Sequence, residues 1–188
     1  IAHFFVVQNI TEESKEVIYA YGMELLISDV LNTIIVLLIA LFSHTLPAVV
    51  VFIAVFMGLR QFVGGFHANS HLSCMFTLVM VMMVFSYGIC NVSGHITPIF
   101  SISFIMIALP IILCIAPVPH PNKPMSEEKS VKLRKRSCIL AVTLSVVTIA
   151  LLVFQYQKLS LYVSSGMLLS AIMALLGHFL NRGDNSKR

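Results

Sequence analysis

The chain has 188 residues, 58% of them hydrophobic and 11% charged, with a formal net charge of +4 and a mean hydropathy of +0.94. Soluble domains carry charge on about a quarter of their residues, so a soluble fold is excluded and little room is left for a soluble domain. A helical span needs about 20 residues, so six spans use most of the chain. A short polytopic chain without period-2 alternation is a helical bundle and not a barrel. Trp is absent, which leaves Tyr and Phe to form any interfacial aromatic belt.

Residues 1–24 are mixed in character. Thr11 is placed to cap a helix whose first turns hold Glu12, Glu13 and Glu16, where the helix dipole favours anions. Val17, Ile18, Tyr21 and Leu25 follow at helical spacing, which predicts an amphipathic helix on the membrane surface. The start lacks the basic residues of a secretory signal peptide. Apolar segments follow at 25–43, 47–59, 75–92, 96–116, 138–154 and 159–180. The second is short and reaches full length only by continuing past Arg60, whose side chain can snorkel to the headgroups. Pro47 and Pro98 suit first helical turns, and Pro110, inside the fourth segment, predicts a kink. Asp29 reads as an edge residue of the first span, since starting that span near Val30 removes the cost of a carboxylate in the bilayer. The predicted fold class is thus all-α: a polytopic integral membrane protein with about six transmembrane helices, a short N-terminal amphipathic helix and one domain over 1–188.

With six spans, one side holds Lys15, Arg60, Lys123, Lys129, Lys132, Arg134, Lys135, Arg136, Arg182, Lys187 and Arg188, and the other holds only Lys158. By the positive-inside rule both termini and the 60–74 stretch are cytoplasmic. In that reducing compartment Cys74 is expected as a free thiol. Cys90, Cys114 and Cys138 form no CxxC pair and read as small buried hydrophobes.

The stretch 60–74, Arg60 to Cys74, gathers a cation, two glycines, two histidines, small polar residues and a thiol between apolar runs. Its residue types allow three readings. In the first, Cys74 is a nucleophile with a histidine as base, and Gly64-Gly65 turns backbone N–H groups toward an oxyanion. In the second, His67, His71 and Cys74, at i, i+4 and i+7, are ligands of a metal or solute carrier. In the third, the stretch is a polar loop of an interaction protein. Straight-helix geometry places His71 nearer Cys74, about 4.5 Å along the axis. A break at Asn69-Ser70 is needed for His67 to reach the thiol. Asn69 is a candidate to orient His67, since the stretch contains no Asp or Glu.

Residues 117–137 form the longest soluble piece. Pro117, Pro119, Pro121 and Pro124 enforce an extended exit from the fourth segment, and a basic tract follows. That tract either anchors on anionic lipid, at about 1 kcal/mol per cation near the surface, or docks an acidic partner.

Arg60, Gly64-Gly65, His67-Ala68 and Cys74 after two apolar segments resemble the accessory gene regulator B (AgrB-like) family. So do Ala116-Pro117 with Asn122-Lys123-Pro124 and a Lys/Arg-rich tract after the fourth. The resemblance covers nearly the whole chain. It implies a cysteine endopeptidase of the bacterial cytoplasmic membrane that cuts a quorum-sensing pro-peptide through a thioester and leaves it to cyclise to a thiolactone or lactone. It implies Cys74 as nucleophile and His67 as base, with Arg60, Gly64 and Gly65 in supporting positions. In this reading Lys129, Lys132, Arg134, Lys135 and Arg136 bind the peptide. No cofactor, metal or nucleic acid is expected. The partners are a small pro-peptide with an amphipathic N-terminal part and an acidic C-terminal tail, membrane lipids and, as an open option, a second copy of the chain.

Overall fold

The computed structural model describes residues 27, 30–31, 33–64, 80–81, 84–89, 91–92, 95–118 and 127–185. Every long element among them is a helix. A short apolar helix, α1, covers Thr33–Phe42, and α2 covers Leu46–Val63. A single π-helical turn lies at Phe85–Ile89. Helix α3 is Thr97–Ile115, α4 is Glu127–Val153 and α5 is Gln157–Asn185. Among the described residues, four helices are long and apolar enough to cross a membrane: α2, α3, Ser130–Val153 within α4 and Gln157–Phe179 within α5. The amphipathic helix expected over 1–24 lies outside the described residues.

Local chemistry sets the helix ends. Pro47 and Pro98 occupy first-turn positions of α2 and α3, where a missing N–H costs nothing. The second segment does continue past Arg60, so α2 reaches 18 residues. Pro110 sits inside α3 without ending it. Glu127 and Glu128 open α4, where negative charge meets the positive end of the helix dipole. Lys132 donates to Glu128 one turn back at 2.6 Å. The basic tract is therefore helical from Glu127 and continuous with the span, rather than a loop throughout 117–137.

Contacts between the helices fix their direction. Gly166 lies against Phe52 and Val55, and Ser170 donates to the Phe56 carbonyl at 3.4 Å, so α2 and α5 run parallel. Ser101 and Ser160, near the starts of α3 and α5, share a hydrogen bond of 3.1 Å, and Ala108 and Ile112 join one buried cluster with Met167 and Ala171. Helix α3 is therefore parallel to both. Helix α4 returns antiparallel and enters α5 through Phe154, Gln155 and Tyr156, with Gln155 in the left-handed region at φ 65°. Arg60, Lys132, Arg134, Lys135 and Arg136 consequently lie toward one end of the bundle and Lys158 lies at the other.

The core has two parts. Near the cationic end Leu59, Val63, Ala108, Ile112, Ala116, Val118, Ala141, Met167, Ala171 and Ala174 pack together. Toward the other end Phe52 and Phe85 meet at 4.2 Å between ring centroids, with Val36, Ala40, Ala48 and Val49 around them. Small residues let helix backbones approach in lipid, where hydrophobic burial offers no drive for association. At Gly166 a Cβ would meet the Phe52 carbonyl oxygen and a Val55 methyl at 3.0 Å each.

Candidate active site

Of the 60–74 stretch, Arg60 to Gly64 are described, and Gly65, His67, Asn69, His71 and Cys74 lie outside the described residues. The ligands of the carrier reading lie outside them too. The stretch begins at the cationic end of α2. Arg60 is half-buried, with its guanidinium carbon 5.5 Å from the centre of the Phe56 ring one turn earlier, a distance that suits a cation over an aromatic face.

Gly64 ends α2 with φ +73° and ψ −154°, and its N–H donates to the Arg60 carbonyl at 3.0 Å. This positive φ is one that glycine adopts without strain. A parallel bridge joins Gly64 to Val118, and the Val118 N–H donates to the Val63 carbonyl at 2.9 Å. A Cβ on Gly64 would stand 2.7 Å from the Val118 carbonyl oxygen. Glycine is thus required here both by φ and by space. Val118 belongs to the proline-rich exit from α3, so the structure joins the start of the 60–74 stretch to the segment that precedes the basic helix in the chain. Spacing alone carried no signal of this contact.

The basic tract divides by helical phase. Arg134 is followed at +3, +7, +11 and +14 by Ser137, Ala141, Ser145 and Thr148, all buried. It stands on the inner face of α4, beyond the packed end of the bundle, and is itself exposed. Lys135 and Arg136 continue instead into Ile139, Val142, Thr143, Val146 and Val147, all exposed. These two cations stand on the face that a bilayer would cover, as does Lys132, which Glu128 already pairs. Lys129 lies in the same helix. The five residues assigned to peptide binding are therefore not equivalent.

Cys114 is a correction. It was expected to be buried, but it is exposed and free. The buried face of α3 runs through Thr97, Ser101, Ile105, Ala108 and Ile112, and Cys114 falls on the opposite side. A thiol facing lipid meets the same apolar surroundings as one in a core, so composition could not separate the two. Cys138 is free and partly buried, and Cys90 lies outside the described residues.

With this geometry in view, the comparisons with known proteins are direct. The family described as accessory gene regulator B matches residues 1–174. The chain is 24% identical over 137 residues to a putative AgrB-like protein of Clostridium beijerinckii, an alignment covering 71% of this chain and 67% of that protein. No solved structure matches it. The chain belongs to the accessory gene regulator B family, a family of peptide-processing membrane proteins.

Proposed function

We propose that this protein is a membrane cysteine endopeptidase that cuts a small pro-peptide on the cytoplasmic side of a bacterial membrane and holds its N-terminal part as a thioester. The observation that carries the proposal is the placement of the family's motif. The match spans the whole of 60–74, and that stretch starts from the cationic end of the bundle at a glycine turn bridged to Val118.

In the proposed reaction His67 takes the proton of the Cys74 thiol, and the thiolate attacks the scissile carbonyl. The C–N bond breaks, and the proton held on His67 goes to the leaving amine. The acyl group remains on Cys74 as a thioester. An internal Cys or Ser of the peptide then attacks it, closes a thiolactone or lactone and returns the thiolate. The ring closes without ATP at this step because the thioester keeps the acyl group activated. Gly64 and Gly65 supply the turn, Arg60 supports the site from the last turn of α2, and Asn69 orients His67.

Helical phase refines the substrate reading. Arg134, on the inner face of α4, takes a carboxylate of the peptide's acidic tail, while Lys135 and Arg136 hold anionic headgroups. The positive end of the bundle is the cytoplasmic one, by the same rule that orders the loops.

The test is a set of single substitutions with the co-expressed peptide as substrate. Cys74→Ala should abolish cleavage, whereas Cys90→Ala, Cys114→Ala and Cys138→Ala should retain it. His67→Ala should remove the low-pH thiolate seen by alkylation of Cys74, and His71→Ala should not. Normal processing by Cys74→Ala would end the proposal.

A further inference from the structure

The ends of two helices meet at one backbone step, through Gly64 after α2 and Ala116 to Val118 after α3. The first end, at Gly64, leads to the nucleophile. The second, from Ala116, leads through the proline-rich segment to the basic helix. Between them the Val118 N–H donates to the Val63 carbonyl at 2.9 Å, and the Gly64–Val118 bridge extends that contact. Val63 and Val118 are both buried, at 0% and 5% exposure, in the core cluster that also holds Leu59, Ala116 and Ala141. Three helices, α2, α3 and α4, thus meet around the junction, and it cannot shift without moving the packed end of the bundle.

We infer that this Val63–Gly64–Val118 clasp is a positioning element for Cys74, resting on the peptidase reading above. It fixes the point and direction at which the catalytic stretch leaves α2, and it holds that departure in register with the segment that carries the basic tract. Val118 touches no reacting atom and acts through its main-chain N–H. Positioning of this kind affects rate strongly, because a displacement of about 1 Å can cost roughly a hundredfold.

The chain itself offers a selective test. Val118 lies between Pro117 and Pro119, so Val118→Pro suits the extended chain there and removes one hydrogen-bond donor. Val118→Ala keeps the donor and removes side-chain packing. Gly64→Ala introduces a Cβ at positive φ, 2.7 Å from the Val118 carbonyl oxygen. Each variant is made in the full chain with Cys90, Cys114 and Cys138 replaced by Ala and purified in detergent. Two quantities are measured: peptide cleavage as kcat and KM, and the alkylation rate of Cys74 against pH.

Val118→Pro and Gly64→Ala should lower kcat by roughly ten- to a hundredfold with KM little changed. Both should move the alkylation curve toward that of a free thiol, near pH 8.5. Val118→Ala should resemble the parent in both. A Val118→Pro protein with the parent's kcat and alkylation curve would overturn the inference. So would a Val118→Ala protein as impaired as Val118→Pro, which would assign the effect to side-chain packing. A parent curve already that of a free thiol would overturn it as well. The alkylation readout requires no cleavage, so failure of the peptidase reading, seen as normal processing by Cys74→Ala, stays distinguishable. If Val118→Pro fails to insert, Gly64→Ala carries the same decision.

Discussion

The two ends of the bundle are built differently. At one end α4 passes into α5 through three residues, and α1 passes into α2 through Ser43, His44 and Thr45, with His44 at φ 55°. Both links fall at the short end of the range for helix connections, and Lys158 is the cation on the helix that starts there. At the other end the chain leaves α2 and α3 in non-helical form, Gly64 and Val118 meet through the backbone, and Arg60, Lys132, Arg134, Lys135 and Arg136 gather. The described links at the first end are short turns. The second spends backbone outside helices, where each N–H and C=O needs a partner of its own, and the clasp supplies one. Under the proposed function this second end is the one from which the catalytic stretch departs.

The comparison predicts that damage away from the clasp lowers stability without changing the reactivity of Cys74, and the largest such effect belongs at Gly166, midway along the bundle between the two parts of the core. Gly166→Leu forces α5 away from Phe52 and Val55, where even a Cβ meets atoms at 3.0 Å. The variant should lose most of its folded yield in detergent, measured by size exclusion and thermal unfolding. Yield like the parent would mean that the close approach of α2 and α5 is not required.

Phe52→Ala should have a smaller effect. Both Phe52 and Phe85 are nearly inaccessible, so the substitution opens a cavity between them. In lipid the transfer contribution largely vanishes and the lost packing remains, for a destabilisation of about 2 kcal/mol. The alkylation curve of Cys74 should keep the parent's shape. A shifted curve would show that the aromatic half of the core also positions the catalytic stretch.

The finest contrast lies within the basic tract. Arg134→Gln should weaken binding of the acidic peptide by about tenfold at low salt, because a charge-assisted hydrogen bond is lost, with a flatter dependence on salt. Lys135→Gln and Arg136→Gln should change peptide affinity less than about twofold and lower retention on anionic vesicles instead. Lys158→Gln should change neither. Equal losses from Arg134→Gln and Lys135→Gln would dissolve the distinction between the inner and outer faces of α4.

Much of this architecture was legible in the residues. Pro47 and Pro98 marked two helix starts, and the shortfall of the second apolar segment implied its extension past Arg60. The clustering of cations followed from the sequence, because the described cations do sort to one end apart from Lys158. The helix over the basic tract was harder to see, since Lys, Arg and Glu interrupt the apolar window. Yet these are good helix formers, and Glu128 with Lys132 at i+4 was a signal for it. Arg134 could have been singled out by running the phase of Ser137, Ala141, Ser145 and Thr148 one turn back. The Val63–Val118 hydrogen bond could not. It joins residues 55 apart through main-chain atoms, which leave no mark on side-chain periodicity, and Gly64 alone hinted that something comes close there.

The hydroxyls of the spans have a consequence for how such a protein is made. Ser145, Thr148, Ser164 and Ser165 each donate to a carbonyl three or four residues earlier in the same helix. A span of this kind can enter the bilayer singly as it leaves the ribosome, because its polar atoms need no neighbour to satisfy them. Assembly afterwards becomes a sorting of finished rods. Ser101 with Ser160, and Ser170 with the Phe56 carbonyl, reach across helices and form only when the right rods have met.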